Sequence, residues 1–384
     1  MNLPENVKYI IKKLNDHGYE GYIVGGCVRD YIMGIAPHDY DITTSALPSD
    51  VKKIFPHTVD TGIEHGTVTI VIGKEGYEVT TYRIDGEYKD SRHPEEVIFT
   101  SKLEGDLSRR DFTVNAIAYN DEDGFVDMFG GMDDIKRKVI RGVGDPDKRF
   151  KEDALRMMRA LRFSAQLDFA IEPGTFDAIK QNAELIRNIS MERIREELYK
   201  LILSDNNERL KFLLQSGMTK YFCKELEEIL ENADDDFYRE INLYPKDIAI
   251  RLAFIFKGYD IKKILKNFRT DNKTITKTYV LEKYYSYKIT DEYSMRKLIS
   301  LAGEYTPYLL ALKKEDDTVY KKIISKKMCC SIKDLAVKGE DIMGLGFSGK
   351  DIGEKLNQAL EFVLINPDKN DKNILIDFIN RNKM

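Results

Sequence analysis

Gly25-Gly26-Cys27-Val28-Arg29-Asp30, followed at once by His38-Asp39-Tyr40-Asp41, is the stretch on which the reading of this chain turns. Just before it, Gly21-Tyr22-Ile23-Val24 has the composition of a short strand, and Val28 to Met33 reads as a helix. A glycine pair between strand and helix lets the backbone approach a ligand, and free N–H groups at a helix start suit phosphate. The pair as a whole is placed to do this, and Arg29 can add a charge one turn later. A plain tight turn would use the same glycines. Asp39 and Asp41 are two apart, so in an extended segment both carboxylates leave one face and can share Mg²⁺. An acidic surface turn is the alternative for that pair alone.

Moving outward, Tyr40 to Thr44, Gly66 to Ile72 and Tyr77 to Arg83 are further β-rich runs. They predict an α+β first part with a mixed or antiparallel sheet. Glu78, on the run beside the aspartates, is the candidate third carboxylate. From about Asp147 the texture becomes helical, as in Glu152 to Ala165 and Met191 to Leu203, and stays so to the C-terminus. Boundaries are expected near residues 140, 205 and 325, giving segments 1–140, 141–205, 206–325 and 326–384.

The chain has 384 residues, with 60 basic and 65 acidic side chains and a net charge of -5, so a nucleic-acid partner must be met by a local basic surface. Lys262-Lys263, Lys321-Lys322 and Lys326-Lys327, interleaved with tyrosines such as Tyr284, Tyr285 and Tyr320, have the composition of such a surface. The four cysteines show no metal-ligand spacing. No charged leader precedes an apolar run, and no stretch approaches the ~20 apolar residues needed to span a bilayer. A cytoplasmic protein without a membrane partner is expected. His38-Asp39 also spells the dipeptide of some metal phosphohydrolases, but the five histidines are too scattered to complete that site.

Three more segments carry chemistry. Ser108-Arg109-Arg110-Asp111-Phe112-Thr113 puts two arginines before an expected helix through Asn115 and Tyr119, where an arginine can clamp a triphosphate or ribose and Asp111 can cap; capping beside solvated arginines is the plain reading. Arg83 to Pro94 reads as a loop near the site. Asp153, Arg156, Arg159 and Arg162 recur every three residues and form one stripe on a helix. A solvated stripe is the plain reading. A carboxylate that accepts and a guanidinium that donates, one turn apart, also match the pairing edges of cytosine and adenine but not those of uracil and guanine.

Taken together, these residues resemble the class II tRNA nucleotidyltransferase and bacterial poly(A) polymerase family of the polymerase-β superfamily. The motifs occur in order over roughly the first 205 residues: Gly25-Gly26-X-Val28-Arg29-Asp30, Asp39-X-Asp41, Arg109-Arg110-Asp111, Glu152-Asp153-X-X-Arg156, and the helix Glu192 to Leu198. The resemblance implies a polymerase-β-like head followed by an all-α neck, body and tail. It also implies Asp39 and Asp41 as Mg²⁺ ligands and Gly26, Arg29 and Arg110 at the incoming nucleotide. Asp153, Arg156, Arg159 and Arg162 become the base-reading and phosphate-side group. ATP and CTP would be substrates and tRNA the partner. Thr61 to Thr69 looks like the CCA-adding form, and an intact 83–94 loop favours full CCA addition. A-addition alone, open-ended poly(A) synthesis, and a catalytically silent RNA-binding protein are the alternatives.

Overall fold

The computed structural model describes residues 1–37, 39–85 and 97–381. Helix α1 (Glu5–Asn15) buries Val7, Ile10, Ile11 and Leu14, the i, i+3, i+4, i+7 stripe of an amphipathic helix. It packs on strand β1 (Gly21–Val24), and Gly21 allows the approach, because a Cβ there would lie 3.3 Å from Leu14 Cδ1. Helix α2 (Gly26–Ile32), strand β2 (Ile42–Thr44), helix α3 (Pro48–Ile54) and strands β3 (Thr58–Gly62), β4 (Thr67–Ile72) and β5 (Glu75–Thr81) follow. A two-stranded ribbon, β6 (Arg83–Asp85) and β7 (Val97–Phe99), leads to helix α4 (Leu103–Ser108), strands β8 (Ile117–Asn120) and β9 (Gly124–Asp127) and helix α5 (Gly131–Arg137).

Seven strands form one sheet in the order β3-β4-β5-β2-β1-β8-β9. Only β2 and β5 run parallel, with Ile42 opposite Val79; the other neighbours are antiparallel. Tyr22, Val24, Tyr82, Leu103, Leu107 and Ala118 form a core between the sheet and α4. Burying such apolar side chains contributes about 1.5–3 kcal/mol each. Because β1 is an interior strand buried at all four positions, the turn at its end opens within the sheet, flanked by the ends of β2 and β8.

Beyond α5 come strand β10 (Val139–Ile140), helices α6 (Pro146–Glu152) and α7 (Leu155–Leu167), strand β11 (Ala170–Ile171), paired parallel with β10, and helices α8 (Pro173–Asn182) and α9 (Met191–Ile202). The chain divides into two compact units, Met1–Asn242 with Asn267–Arg269, and Leu243–Lys266 with Thr270–Met384. The described residues of the second unit contain helices and no strand. Ala249, Ile250, Leu281, Leu298 and Leu309 share one of its cores, and Val337, Ile342, Leu360, Val363 and Leu375 another. Gly349, at φ 55, caps the helix Lys350–Ile365.

Two expected elements differ. No helix runs through Asn115 and Tyr119; a short 3-10 turn, Thr113–Asn115, leads into β8, whose four residues are buried. Pairing with β1 and β9 decides the conformation there over local propensity. The helix expected from Glu152 to Ala165 is interrupted, since Asp153 is extended at φ -138 and ψ 103 between α6 and α7. Its carboxylate accepts from Leu155 N–H at 3.0 Å, a local bond that competes with helical continuation. Among the described residues no helix is long and apolar enough to cross a membrane.

Candidate active site

Gly25 sits at φ 82, where a side chain would be strained, and a Cβ on it would lie 3.1 Å from Arg110 Nη1. Its N–H donates to the Ile117 carbonyl at 3.3 Å, and Val24 N–H donates to the Asp41 carbonyl at 3.0 Å. The glycine turn is thereby stitched to β8 on one side and to the approach of β2 on the other. Asp39 and Asp41 precede the first residue of β2 and are not within it, as the strand begins at Ile42.

Both aspartates line a cleft of about 620 Å³ together with Pro4, Tyr40, Glu75, Gly76, Tyr77 and Glu78. Glu78 reaches it because β5 lies parallel beside β2. Among the described residues, neither Asp39 nor Asp41 has an ion-pair partner, and no three His, Cys, Asp or Glu side chains converge as a ready-made metal cluster. Asp41 meets solvent, yet the surrounding chain desolvates its carboxyl and pushes its pKa up; Arg110 pulls it down and Asp39 pushes it up again. Two adjacent hard-oxygen donors lacking a counter-cation fit Mg²⁺, which takes one or two carboxylates and completes its shell with substrate phosphates and water.

The arginines are arranged in the opposite way. Arg29, 8 % exposed, donates to Asp30 Oδ1 at 2.6 Å and Asn115 Oδ1 at 2.7 Å. Arg110 Nη2 donates to Asp106 Oδ2 at 3.2 Å, and Arg109 Nη2 to Asp106 Oδ1 at 2.8 Å. Asp106 is fully buried and also accepts from Thr43 Oγ1 of β2. Burial opposes its ionisation, but Arg109 and Arg110 outweigh that and hold its pKa below the usual range. Arg159 donates to Asp111 Oδ2 at 2.8 Å, while Asn115 donates to Asp111 Oδ1. Burial again opposes ionisation, and Arg159 with Asn115 and Arg156 holds Asp111 at about 2.

Asp153 and Arg156 do not face each other. Asp153 Oδ2 accepts from Arg193 of α9 at 3.0 Å, whereas Arg156 donates to Glu152 at 2.9 Å and to the Arg109 carbonyl at 2.9 Å. Arg162 pairs with Glu197 of α9 at 2.5 Å. Each member of the stripe is therefore engaged by a charged partner, with Arg156 buried and Arg159 still 35% exposed. Among the described residues, buried Arg110 Nε and Arg193 Nη1 are guanidinium donors without a hydrogen-bond partner. Asp106, Asn115, Arg193 and Glu197 bond to the candidate site residues and were not selected by sequence reasoning. The i+3 and i+4 spacing of Asp106 to Arg109 and Arg110 was the available signal. The 83–94 loop lies largely outside the described residues.

In the second unit the lysine clusters separate. Lys321 and Lys322 are committed to Asp317 and Glu292. Lys262 lies 3.6 Å from the Tyr279 ring centre, Lys283 5.0 Å from that of Tyr284, and Lys257 4.2 Å from that of Tyr285. These three lysines are exposed, so cation and aromatic surface are presented together.

Known proteins match this chain over nearly its whole length. A family model described as "Poly A polymerase head domain" matches residues 21–141, and one described as "Probable RNA and SrmB- binding site of polymerase A" matches residues 168–230. A CCA-adding enzyme of Ligilactobacillus salivarius is 38% identical over 405 residues, covering 98% of this chain and 96% of the relative. A CCA-adding enzyme of Pediococcus pentosaceus is 36% identical over 394 residues, covering 98% of both. The crystal structure of the Bacillus stearothermophilus CCA-adding enzyme in complex with CTP superimposes with a TM-score of 0.86 at 33% identity, covering 100% of this chain and 98% of that one.

Proposed function

The chain belongs to the CCA-adding enzyme family, and from that premise we infer that it adds C, C and A to the 3′ end of tRNA from CTP and ATP without a nucleic-acid template. One observation carries the mechanism: the open aspartate pair and the paired arginines surround the same glycine turn, with Arg110 common to both.

In the reaction the terminal ribose hydroxyl of tRNA attacks the α-phosphate in line, forming a phosphodiester bond and expelling pyrophosphate. Mg²⁺ held by Asp39 and Asp41, with Glu78 as a further carboxylate in the cleft, would activate that hydroxyl and neutralise the leaving group. Gly26 and Gly25 let the nucleotide approach the backbone, and Arg29 and Arg110 supply positive charge from its far side. Arg110 is only partly exposed and, among the described residues, its Nε has no hydrogen-bond partner, so its guanidinium is not fully committed to Asp106.

We assign nucleotide choice to Asp153 and Arg156, with Arg159 and Arg162 behind them. In this structure Asp153 uses one oxygen for Leu155 N–H and the other for Arg193, and Arg156 makes three hydrogen bonds. A carboxylate has roughly four acceptor sites and a guanidinium more donors than three, so both retain capacity for a base edge. The head, neck, body and tail are assigned to 1–140, 141–205, 206–325 and 326–384. The exposed Lys–Tyr pairs around Tyr279 suit the tRNA backbone. The buried, unpaired cysteines fit the cytoplasmic location we assign.

The test is incubation with Mg²⁺ and tRNAs ending before, within or one residue short of CCA, with CTP and ATP separately and together. Full CCA addition to the shortest acceptor is expected. Addition of A alone, only to the CC-ending acceptor, would contradict this reading in favour of an A-adding enzyme, and open-ended A addition in favour of a poly(A) polymerase.

A further inference from the structure

Phe163, on α7, is 7% exposed and carries no charge, yet three guanidinium groups surround its ring. Arg162 lies 3.8 Å from the ring centre, Arg29 5.3 Å and Arg159 5.4 Å. Arg29 comes from α2, beside the glycine turn; the other two come from α7 itself. Phe112, the residue after Asp111, meets the ring edge-on at 5.9 Å and 80°, which fixes its orientation. Each arginine has its own anion, Asp30, Asp111 or Glu197; Asn115 also bridges Arg29 to Asp111 and so to Arg159, whereas Arg162 pairs with Glu197 outside that chain of bonds, and the ring is what all three share. Close guanidiniums in a desolvated pocket repel one another. An aromatic face attracts each of them, more strongly as water is excluded.

We propose that Phe163 is a positioning residue for nucleotide binding: its π-face holds Arg29, Arg159 and Arg162 in one arrangement, coupling the phosphate-side arginine of α2 to the nucleotide-selecting helix α7. The proposal rests on the assignment of Arg29, Arg159 and Arg162 to the nucleotide. A ring that only fills space could be replaced by any apolar group of its size. A ring that acts through its face loses that action when the face is made electron-poor at constant shape.

The experiment replaces Phe163 with phenylalanines bearing one, two and three ring fluorines, and separately makes Phe163→Leu and Arg29→Ala. KM for CTP and ATP is measured with tRNA saturating, alongside kcat, melting temperature and tRNA affinity. KM for both nucleotides should rise stepwise with fluorination, reaching about tenfold, with kcat, melting temperature and tRNA affinity little changed. Phe163→Leu should resemble the most fluorinated ring. A flat KM across the fluorinated series, with KM raised in Arg29→Ala, overturns the proposal and leaves the nucleotide assignment of Arg29 standing. A flat KM in Arg29→Ala as well overturns that assignment and the proposal with it.

Discussion

Two groups of carboxylates in the first unit are treated in opposite ways. Asp39 and Asp41 open into a cleft and, among the described residues, have no ion-pair partner. Asp106, Asp111, Asp153 and Glu197 are each matched to arginine, and Asp106 and Asp111 are nearly or fully buried. An unpaired carboxylate pair keeps its charge for a cation and pays for this in mutual repulsion. A paired, buried carboxylate has spent its charge on fixing a guanidinium. The first arrangement suits chemistry that recruits a metal, and the second suits a rigid surface for recognition.

Exchanging the two treatments gives the largest expected effect. Asp41→Asn should cut nucleotidyl transfer by roughly three orders of magnitude, the scale of losing a transition-state electrostatic contact, while tRNA affinity and melting temperature hold. Single-turnover kinetics with a CC-ending tRNA checks this; near-normal turnover would defeat the proposed metal role of Asp41. Arg156→Ala should leave transfer measurable but erode the preference for C and A over U and G by about tenfold, the value of one bidentate base contact. Competition between CTP and UTP reads that out, and an unchanged ratio would defeat the base-edge assignment.

Asp111 sharpens the buried side of the comparison. Its folded pKa, about 2, lies below the ordinary aspartate value near ~3.9, so its pairing with Arg159 stabilises the fold above that value. The contribution, about 2 kcal/mol, should fade as pH falls from about 4 towards 2. Melting curves of the protein and of Asp111→Asn should therefore converge across that window and stay apart at neutral pH. A constant gap down to pH 2 would contradict the depressed pKa. The smallest effect is expected in the second unit. Replacing Lys262 and Lys283 by Glu should weaken tRNA binding severalfold and reduce its salt dependence by roughly one ion per lost phosphate contact, without changing KM for nucleotides.

The open half of the site was legible in the sequence because its parts are local. A glycine pair between strand and helix, and two aspartates two residues apart, state their geometry within one supersecondary unit. Of the paired half, the sequence offered the arginines but not their long-range partners, because those bonds join distant positions. Arg29 meets Asn115, Arg159 meets Asp111, and Asp153 meets Arg193, each across a separation that only the tertiary fold sets. The three-residue spacing from Asp153 to Arg162 suggested one helical stripe. The break at Asp153 removes its first member from the helix and turns it towards α9. The strand in place of a helix after Asn115 has the same origin, since β8 is specified by its neighbours β1 and β9.

The central claim is that metal capture and nucleotide selection belong to two separable sets of side chains. Paramagnetic resonance of Mn²⁺, used in place of Mg²⁺, titrated into the protein with CTP or UTP present, tests it most directly. The account predicts that Asp39→Asn with Asp41→Asn abolishes Mn²⁺ uptake while CTP still binds more tightly than UTP. Undiminished Mn²⁺ uptake in that double variant, or loss of the CTP preference together with the metal, would contradict it.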